Sequence, residues 1–367
     1  MSKSARLNSL DALRGFDMFW IMGGEGLVCL VAALFGFPEF KEKFGHVAWE
    51  GLQFMDTIFP LFLFMAGVSF PFSAEKSIAR GMTRGRVAAK ALRRGVILMV
   101  LGIICWGFLK KLNFADFRIM SVLGYIGFGW MVAAWIYLAV RGFWARVVTA
   151  IAILTTVTLV FGFVSAPDAP ADAVRFSPQW HLGCWLDRMI LRAHSLHPMY
   201  DNEGFAGLLP TIVSAMLGMF AGDIVRAGGT KATGRKALRL LLSAVVCLVS
   251  GLALSTFYPV VKKLWSPSFA LIAGGYSYAV FALFYWLIDV KNVSRWSFFF
   301  RVIGMNSITI YVAQRIIDFR KASEFFLGGV AGLVPDLLGQ IFVQVGYIAA
   351  CWLFLWFLYR KSVFLKV

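Results

Sequence analysis

The chain has 367 residues, of which 60% are hydrophobic and only 15% charged, with a formal net charge of +17. A soluble protein carries about 45–50% apolar and about 25% charged residues, so this composition excludes an ordinary soluble enzyme. The charge does not point to nucleic acid either, because the basic residues fall in short loops between apolar runs, as the positive-inside rule places them.

The apolar runs are roughly 18–25 residues long, enough to cross ~30 Å of hydrocarbon as helix. Backbone in lipid must satisfy its own hydrogen bonds, so repeated runs of this length predict an all-α, polytopic transmembrane helical bundle. Of the five cysteines, Cys29, Cys105, Cys247 and Cys351 lie in apolar segments and only Cys184 in a polar loop. They offer neither a disulfide framework nor metal-ligand spacing.

In chain order, Lys3 and Arg6 precede an apolar run that is interrupted by Asp11, Arg14 and Asp17 and has no small-residue cleavage site. It reads as a retained first span over 10–36 rather than a signal peptide. A loop carrying His46 leads to a second span over 51–73. The next loop, Ser73 to Arg94, holds seven Lys or Arg against Glu75 alone and marks the cytosolic side. Further spans are expected over 95–109, 118–140 and 147–164. A long polar stretch from Ser165 to Phe205 lacks the basic excess and should be external. The remaining spans fall at 206–225, 238–258, 267–289, 297–316 and 337–359. About ten spans with both termini cytoplasmic fit every basic loop except Lys110-Lys111 and Lys262-Lys263, which are positive on the outer side. No repeat or soluble domain interrupts the chain, so 1–367 is expected to be a single transmembrane domain.

On a helix at 100° per residue, Asp11, Arg14, Asp17 and Glu25 fall within an arc of about 120°. They predict one polar stripe facing the bundle interior, since ionisable groups at membrane depth are costly and mark a site or a pathway. Asp11 and Arg14 at the interface also suit simple helix capping. Histidine suits general-base work, and Glu50, one turn on from His46, is placed to orient it. An exposed loop residue is the plainer role for His46. Asp56 lies in the second span beside Pro60, expected to kink the helix. The outer loop interleaves Trp180, His181, Trp185, Asp187, Tyr200, Asp201 and Glu203. That pattern serves a sugar site as well as it serves an interfacial aromatic belt. In Gly304-Met305-Asn306-Ser307, small and amide side chains allow close interhelical packing. There is no P-loop, dinucleotide fingerprint, G-x-S-x-G elbow or H-E-x-x-H.

Several blocks together resemble the heparan-α-glucosaminide N-acetyltransferase family and its bacterial relatives. They are Arg6-Leu-Asn-Ser-Leu-Asp-Ala-Leu-Arg-Gly15, His46-Val-Ala-Trp-Glu-Gly-Leu52, Asp56-Thr-Ile-Phe-Pro60 with the run to Gly67, Leu186-Asp187-Arg188, Tyr200-Asp-Asn-Glu-Gly204, Lys262-Lys-Leu-Trp265 with Ser266 to Phe269, and Gly304-Met-Asn-Ser307. They occur in family order over nearly the whole chain. Glu25, where the lysosomal enzyme has asparagine, and Val261, where asparagine is common, depart from the pattern.

The resemblance implies a transmembrane acyltransferase that moves an acetyl group from cytosolic acetyl-CoA, its co-substrate, to the amine of a terminal glucosamine on the far side. It assigns the active-site role to His46, as general base or transient acyl carrier. Glu25 or Asp56 would orient His46 or bind the acceptor. Arg14 and the basic loop, represented by Arg84 and Arg93, would hold CoA phosphates, with Asn306 and Ser307 counted on the same side. Glu50, Asp187, Asp201, Lys262 and Trp265 are the expected substrate-binding residues. No metal is expected. The expected partners are an amino sugar or glycan end and membrane lipids, without nucleic acid, and a homodimer stays open. A bacterial chain would sit in the cytoplasmic membrane. A sugar permease with a proton-relay histidine and a glycan O-acyltransferase are the competing readings.

Overall fold

The computed structural model describes residues 7–105, 117–229 and 231–364. Among these the regular structure is helical throughout, with one isolated bridge between Ser165 and His181. The helices in chain order are α1 (Asn8–Phe19), α2 (Glu25–Leu34), α3 (Phe40–Phe44), α4 (Ile58–Ala79), α5 (Arg84–Ile103), α6 (Val122–Ala139), α7 (Phe143–Phe163), α8 (Leu182–Ile190), α9 (Leu208–Arg226), α10 (Gly234–Ser255), α11 (Pro267–Phe284), α12 (Phe298–Gly304), α13 (Ser307–Ile316), α14 (Phe319–Ala331) and α15 (Asp336–Arg360). Eight helical stretches among the described residues are long and apolar enough to cross a membrane.

Two expected spans have a different form. α5 begins with the arginines and lysine of the basic loop, so its first turns are polar. The segment expected over 297–316 is broken at Met305-Asn306 into α12 and α13. An additional helix, α14, occupies the loop after it. Lys110-Lys111 lie outside the described residues.

Helix starts follow local chemistry. Thr83, Ser121, Thr233 and Ser266 cap α5, α6, α10 and α11 by accepting from the backbone N–H of Arg86, Gly124, Lys236 and Phe269, which satisfies a donor that has no partner inside the helix. Pro60 lies in the first turn of α4, where a missing N–H costs nothing, so the expected kink does not form there. Pro71 is the interior proline of that helix.

Packing is close where glycine permits it. A methyl group on Gly15 would lie 1.7 Å from the Phe300 carbonyl oxygen, and one on Gly304 would lie 1.8 Å from that of Asp11. α1 and α12 therefore touch backbone to backbone. Gly67 and Gly218 bring α4 and α9 together in the same way, with gaps of 2.2 and 2.0 Å to the Ala215 and Phe64 carbonyls. Small residues at such crossings are how helices associate when lipid removes the hydrophobic drive. The outer ring behaves differently. On α10, Leu238, Leu242, Val245 and Val249 are exposed, whereas Ala237, Leu240, Ala244 and Gly251 are buried on the opposite face, with α11 packed over Gly251. Exposed aliphatic rows of this kind are lipid-facing.

The basic end of the bundle is tied by ions. Asp223 of α9 accepts from Tyr137 at 2.7 Å and from Arg146 at 3.0 Å, and Arg226 pairs with Glu75 at 2.8 Å. These links join α4, α6, α7 and α9 at one level.

The backbone contact at Gly15 yields a direct test. Gly15→Ala should lower stability in detergent by about 1–3 kcal/mol, the cost of overpacking a filled site. Gly328→Ala on α14, which meets nothing within 4 Å, should be neutral or stabilising by up to about 1 kcal/mol. Thermal unfolding midpoints of the two variants against the parent chain decide it.

Candidate functional site

At the end of the bundle opposite the ionic cluster, a cavity of about 660 Å³ opens between α1, α2, α4, α6, α13 and the connecting loops. Its inner half is apolar, walled by Met18, Ile58, Phe59, Phe62, Ile126 and Ile308. The outer half carries His46, Trp49, Tyr200, Glu203, Lys262 and Lys263.

His46 sits in an irregular loop that runs from Gly45 to Gln53, and Asp56 holds that loop in place. Asp56 Oδ1 lies 2.7 Å from His46 Nδ1 and accepts from Lys262 Nζ at 3.1 Å. Its Oδ2 accepts from the backbone N–H of Gln53 at 3.1 Å and of Val47 at 3.3 Å. Asp56 is 1% exposed, so these donors replace water for a buried charge. A carboxylate engaged by donors on every side suits the tautomer with the proton on His46 Nδ1. In that tautomer the neutral ring carries its lone pair on Nε2, and His46 lines the cavity. Lys262 Nζ also lies 3.1 Å from His46 Nδ1, completing a triangle. Lys262 is pulled below the ordinary lysine range by burial, while Asp56 pulls it back up.

The loop is fixed from outside as well. Gly51 N donates to Val260 O at 2.8 Å, Trp49 Nε1 to Phe176 O at 2.7 Å, and Lys263 Nζ to Ala48 O. On the other flank, Trp20, Phe44 and Phe54 pack ring to ring at 4.7–5.5 Å. That cluster anchors the loop to the π-helical turn Trp20–Gly24.

The turn also breaks the expected polar stripe. Gly23 adopts φ +109° within it, which only glycine takes readily, and the wider turn rotates α2 relative to α1. Glu25 consequently lines the cavity, with Oε1 3.9 Å from where a side chain on Gly45 would begin. Asp17, on the α1 side of the turn, is fully buried, and neither of its carboxylate oxygens has a hydrogen-bond partner among the described residues. Asp11 and Arg14 lie 3.7 Å apart. Arg14 donates to Met65 O at 3.4 Å, one helical turn beyond Phe62.

The remaining expected residues divide sharply. Glu50 is exposed and outside the cavity wall, and the His46 ring is bonded by Asp56 instead. Trp265 is 1% exposed; its indole donates to Ser214 Oγ at 2.9 Å and packs on Phe59, so it is a core residue. Asp187 accepts from the backbone N–H of Phe205 at 2.7 Å and of Asp201 at 3.2 Å, one on each oxygen. Asp201 accepts from Arg118, from Leu196 N at 2.8 Å and from Glu203 N at 3.0 Å. Both acids shape the loop and neither lines the cavity. Arg84 donates to Leu138 O at 3.2 Å, Arg93 is exposed, and Asn306 donates to Val363 O at 3.0 Å. With Arg14 and Ser307, they stand away from the cavity wall. His181 is buried, bonded to Tyr258 at 3.0 Å and to Gly183 N at 3.0 Å, and burial holds it down at about 3. It is structural.

Sequence alone presents Glu203 as one of several loop acids and does not single out Arg118. Arg118 bridges Asp201 and Glu203, and both Arg118 and Glu203 line the cavity. Burial pushes the Glu203 carboxyl up, against the pull of Arg118. A lone arginine just before an apolar span, at the end poor in basic residues, is the signal that marks it. Among the described residues, no three His, Cys, Asp or Glu side chains converge as a metal site.

A bundle of membrane-spanning helices with a histidine–carboxylate pair on the wall of a cavity defines an integral membrane protein. The family model for heparan-alpha-glucosaminide N-acetyltransferase, catalytic, matches residues 6–262, and the chain belongs to that family. It is similar to heparan-alpha-glucosaminide N-acetyltransferase of Mus musculus, 25% identical over 417 residues, covering 99% of this chain and 61% of the relative. The Homo sapiens protein of the same name is 25% identical over 423 residues, covering 99% and 60%. The chain thus spans about three fifths of the length of the curated relatives it matches.

Asp187 supplies a pH test of the loop. Burial lifts it to about 6, offset by the N–H bonds from Phe205 and Asp201, whereas an unfolded aspartate titrates near about 3.9. A raised carboxyl favours the fold fully below the unfolded value, and that gain is lost as pH rises through the folded one. Asp187→Asn should therefore flatten the decline of the unfolding midpoint between about pH 4 and about 6. An unchanged slope would show that Asp187 is not the titrating group.

Proposed function

We propose that this protein is a transmembrane N-acetyltransferase that moves an acetyl group from acetyl-CoA to the amine of glucosamine or a related amino sugar. The observation that carries the reading is the 2.7 Å His46–Asp56 pair on the wall of a cavity apolar at one end and polar at the other. Family membership and the relatives' names supply the substrate class.

In this reading the chain is one domain of about ten spans with both termini in the cytosol, and in a bacterium it lies in the inner membrane. Acetyl-CoA enters from the basic end. Arg14, Arg84 and Arg93 suit its phosphates, and the apolar half of the cavity suits the pantetheine arm with its thioester next to His46. The amino sugar enters from the outer mouth, past Trp49, Tyr200 and Lys263. Asp56 fixes the imidazole tautomer, and His46 Nε2 takes a proton from the amine as nitrogen attacks the thioester carbon. The C–S bond breaks, and His46 returns the proton to the departing sulfur. The same free Nε2 also suits a transient acetyl-histidine, which rapid-quench trapping of labelled protein would reveal.

Purified protein in detergent should release CoA from acetyl-CoA only when glucosamine is present. His46→Ala should lower that rate by about 10²–10⁴-fold, the usual contribution of a positioned general base. Asp56→Asn should lose at least about 10²-fold, since it upsets the tautomer without removing the ring. Full activity in His46→Ala would sink the proposal. Uptake of labelled sugar along a gradient without CoA release would replace it with a permease.

A further inference from the structure

We infer that Glu203 receives the acceptor in its ammonium form and removes the first of its two protons, leaving the second to His46. This rests on the amine acetyl transfer proposed above and goes beyond it by assigning the acceptor-side acid–base group.

The need arises from the chemistry of the acceptor. An amine that titrates near about 8, as α-amino groups do, is mostly ammonium at neutral pH. An ammonium nitrogen has no lone pair and cannot attack a carbonyl. Forming an amide from it releases two protons, and a single imidazole nitrogen accepts one at a time. The site also has an electrostatic difficulty for a cationic substrate. Lys262 stands 3.1 Å from both His46 and Asp56, Lys263 and Arg118 line the same cavity, and Asp56 is already engaged by four donors. An incoming cation needs another anion to meet.

Glu203 meets that requirement in place, charge and rigidity. It lines the cavity with its loop neighbours Tyr200 and Asn202, on the acceptor side. It is 8% exposed, and its Oε2 is held by Arg118, which Asp201 holds in turn. No described side chain bonds Oε1. One carboxylate oxygen is therefore anchored and the other left for a ligand. The backbone beneath is fixed by the Glu203 N–H on Asp201 at 3.0 Å and by Tyr125 donating to Gly204 O. Gly204 itself leaves no room for a side chain, since a methyl group there would lie 1.9 Å from Asp187 Oδ2. Glu25, the third carboxylate on the wall beside Asp56 and Glu203, has no such anchor among the described residues. Burial of Glu203 acts in the useful direction, raising its proton affinity toward that of the amine. The charged and titratable groups around it are Arg118 before α6, Tyr125 on α6, Asp187 and Asp201 in its own loop, and Lys262, with Lys263, His197, His46, Asp56, Glu25 and Arg315 lining the same cavity.

The step balances. An ammonium proton passes to Glu203 Oε1, giving the neutral amine. Nitrogen then bonds to the thioester carbon and its second proton passes to His46 Nε2. The C–S bond breaks, sulfur takes that proton as CoA thiol, and Glu203 returns its own proton to outer water. Ammonium and acetyl-CoA thus yield amide, CoA thiol and one proton.

The test follows CoA release by the full-length protein in detergent, with acetyl-CoA and glucosamine, between about pH 6.5 and 9, a range that brackets the titration of the amine. Glu203→Gln keeps the shape and the Arg118 bond but takes no proton. Its kcat/KM for glucosamine should be about tenfold below wild type at about pH 7 and approach wild type by about pH 9, tracking the free-amine fraction. The KM for acetyl-CoA should not move, and Glu203→Asp should recover part of the loss. A deficit equal at every pH, or a variant matching wild type throughout, overturns the inference while leaving acetyl transfer standing. No CoA release by wild type with any amine removes the parent reading, and this one with it. If Glu203→Gln does not fold, the wild-type profile decides. A kcat/KM level between about pH 7 and 8.5 supports capture of the ammonium, and a rise in step with the free amine overturns it.

Discussion

The structure of the site depends on one buried carboxylate. Asp56 stands at the start of α4, where the chain changes from an irregular loop to a helix, and accepts from the imidazole of His46, the ammonium of Lys262 and two backbone N–H groups. Each donor belongs to a segment with little regular structure of its own. The loop from Gly45 to Gln53 is held because its amides end on Asp56, and the turn at Lys262 is held because its ammonium does. A buried charge without partners would cost several kcal/mol, so the carboxylate and its donors order one another. The same arrangement suits the tautomer with the proton on Nδ1 of His46, facing Asp56.

Helix geometry decides which polar groups reach the cavity. The π-helical turn Trp20–Gly24 inserts extra rotation between Asp17 and Glu25, so two acids on one apparent face end in different places. Glu25 reaches the cavity, and Asp17 stays in the packed interior. The close glycine contacts between α1 and α12 and between α4 and α9 keep the walls rigid, because backbone packed on backbone has no side chain to move. A cavity of about 660 Å³ can stay open within a tightly packed bundle only if the surrounding helices are held in this way.

The long loop over residues 165–205 shows how acids can be numerous and still unavailable. Asp187 and Asp201 commit their oxygens to backbone amides and to Arg118. Those bonds give the loop a fixed shape without strands or long helices, and they leave Glu203 as the loop acid directed at the cavity. The match to the catalytic family model, residues 6–262, ends at Lys262, the last member of the His46–Asp56 triangle.

The sequence by itself determined the helical, membrane-embedded class, because hydropathy over a span is a sum of local terms that needs no partner. It also determined the family, through short blocks kept in order, and pointed to His46 and Asp56 within them. Only the tertiary structure decided which acids face the cavity, because that choice depends on hydrogen bonds between segments far apart in the chain. Asp56 and Lys262 are separated by 206 residues and Arg118 and Asp201 by 83. Glu50 lies close to His46 in sequence yet points elsewhere, since an irregular loop has no helical periodicity to bring the fourth residue back to the same face. Trp265 has the look of a ligand-stacking ring and is core, for its indole N–H finds a buried hydroxyl across the bundle. Spacing along the chain predicts neighbours within a helix, and where the helix is interrupted, as at Gly23, Asn306 and the whole of the His46 loop, packing alone assigns them.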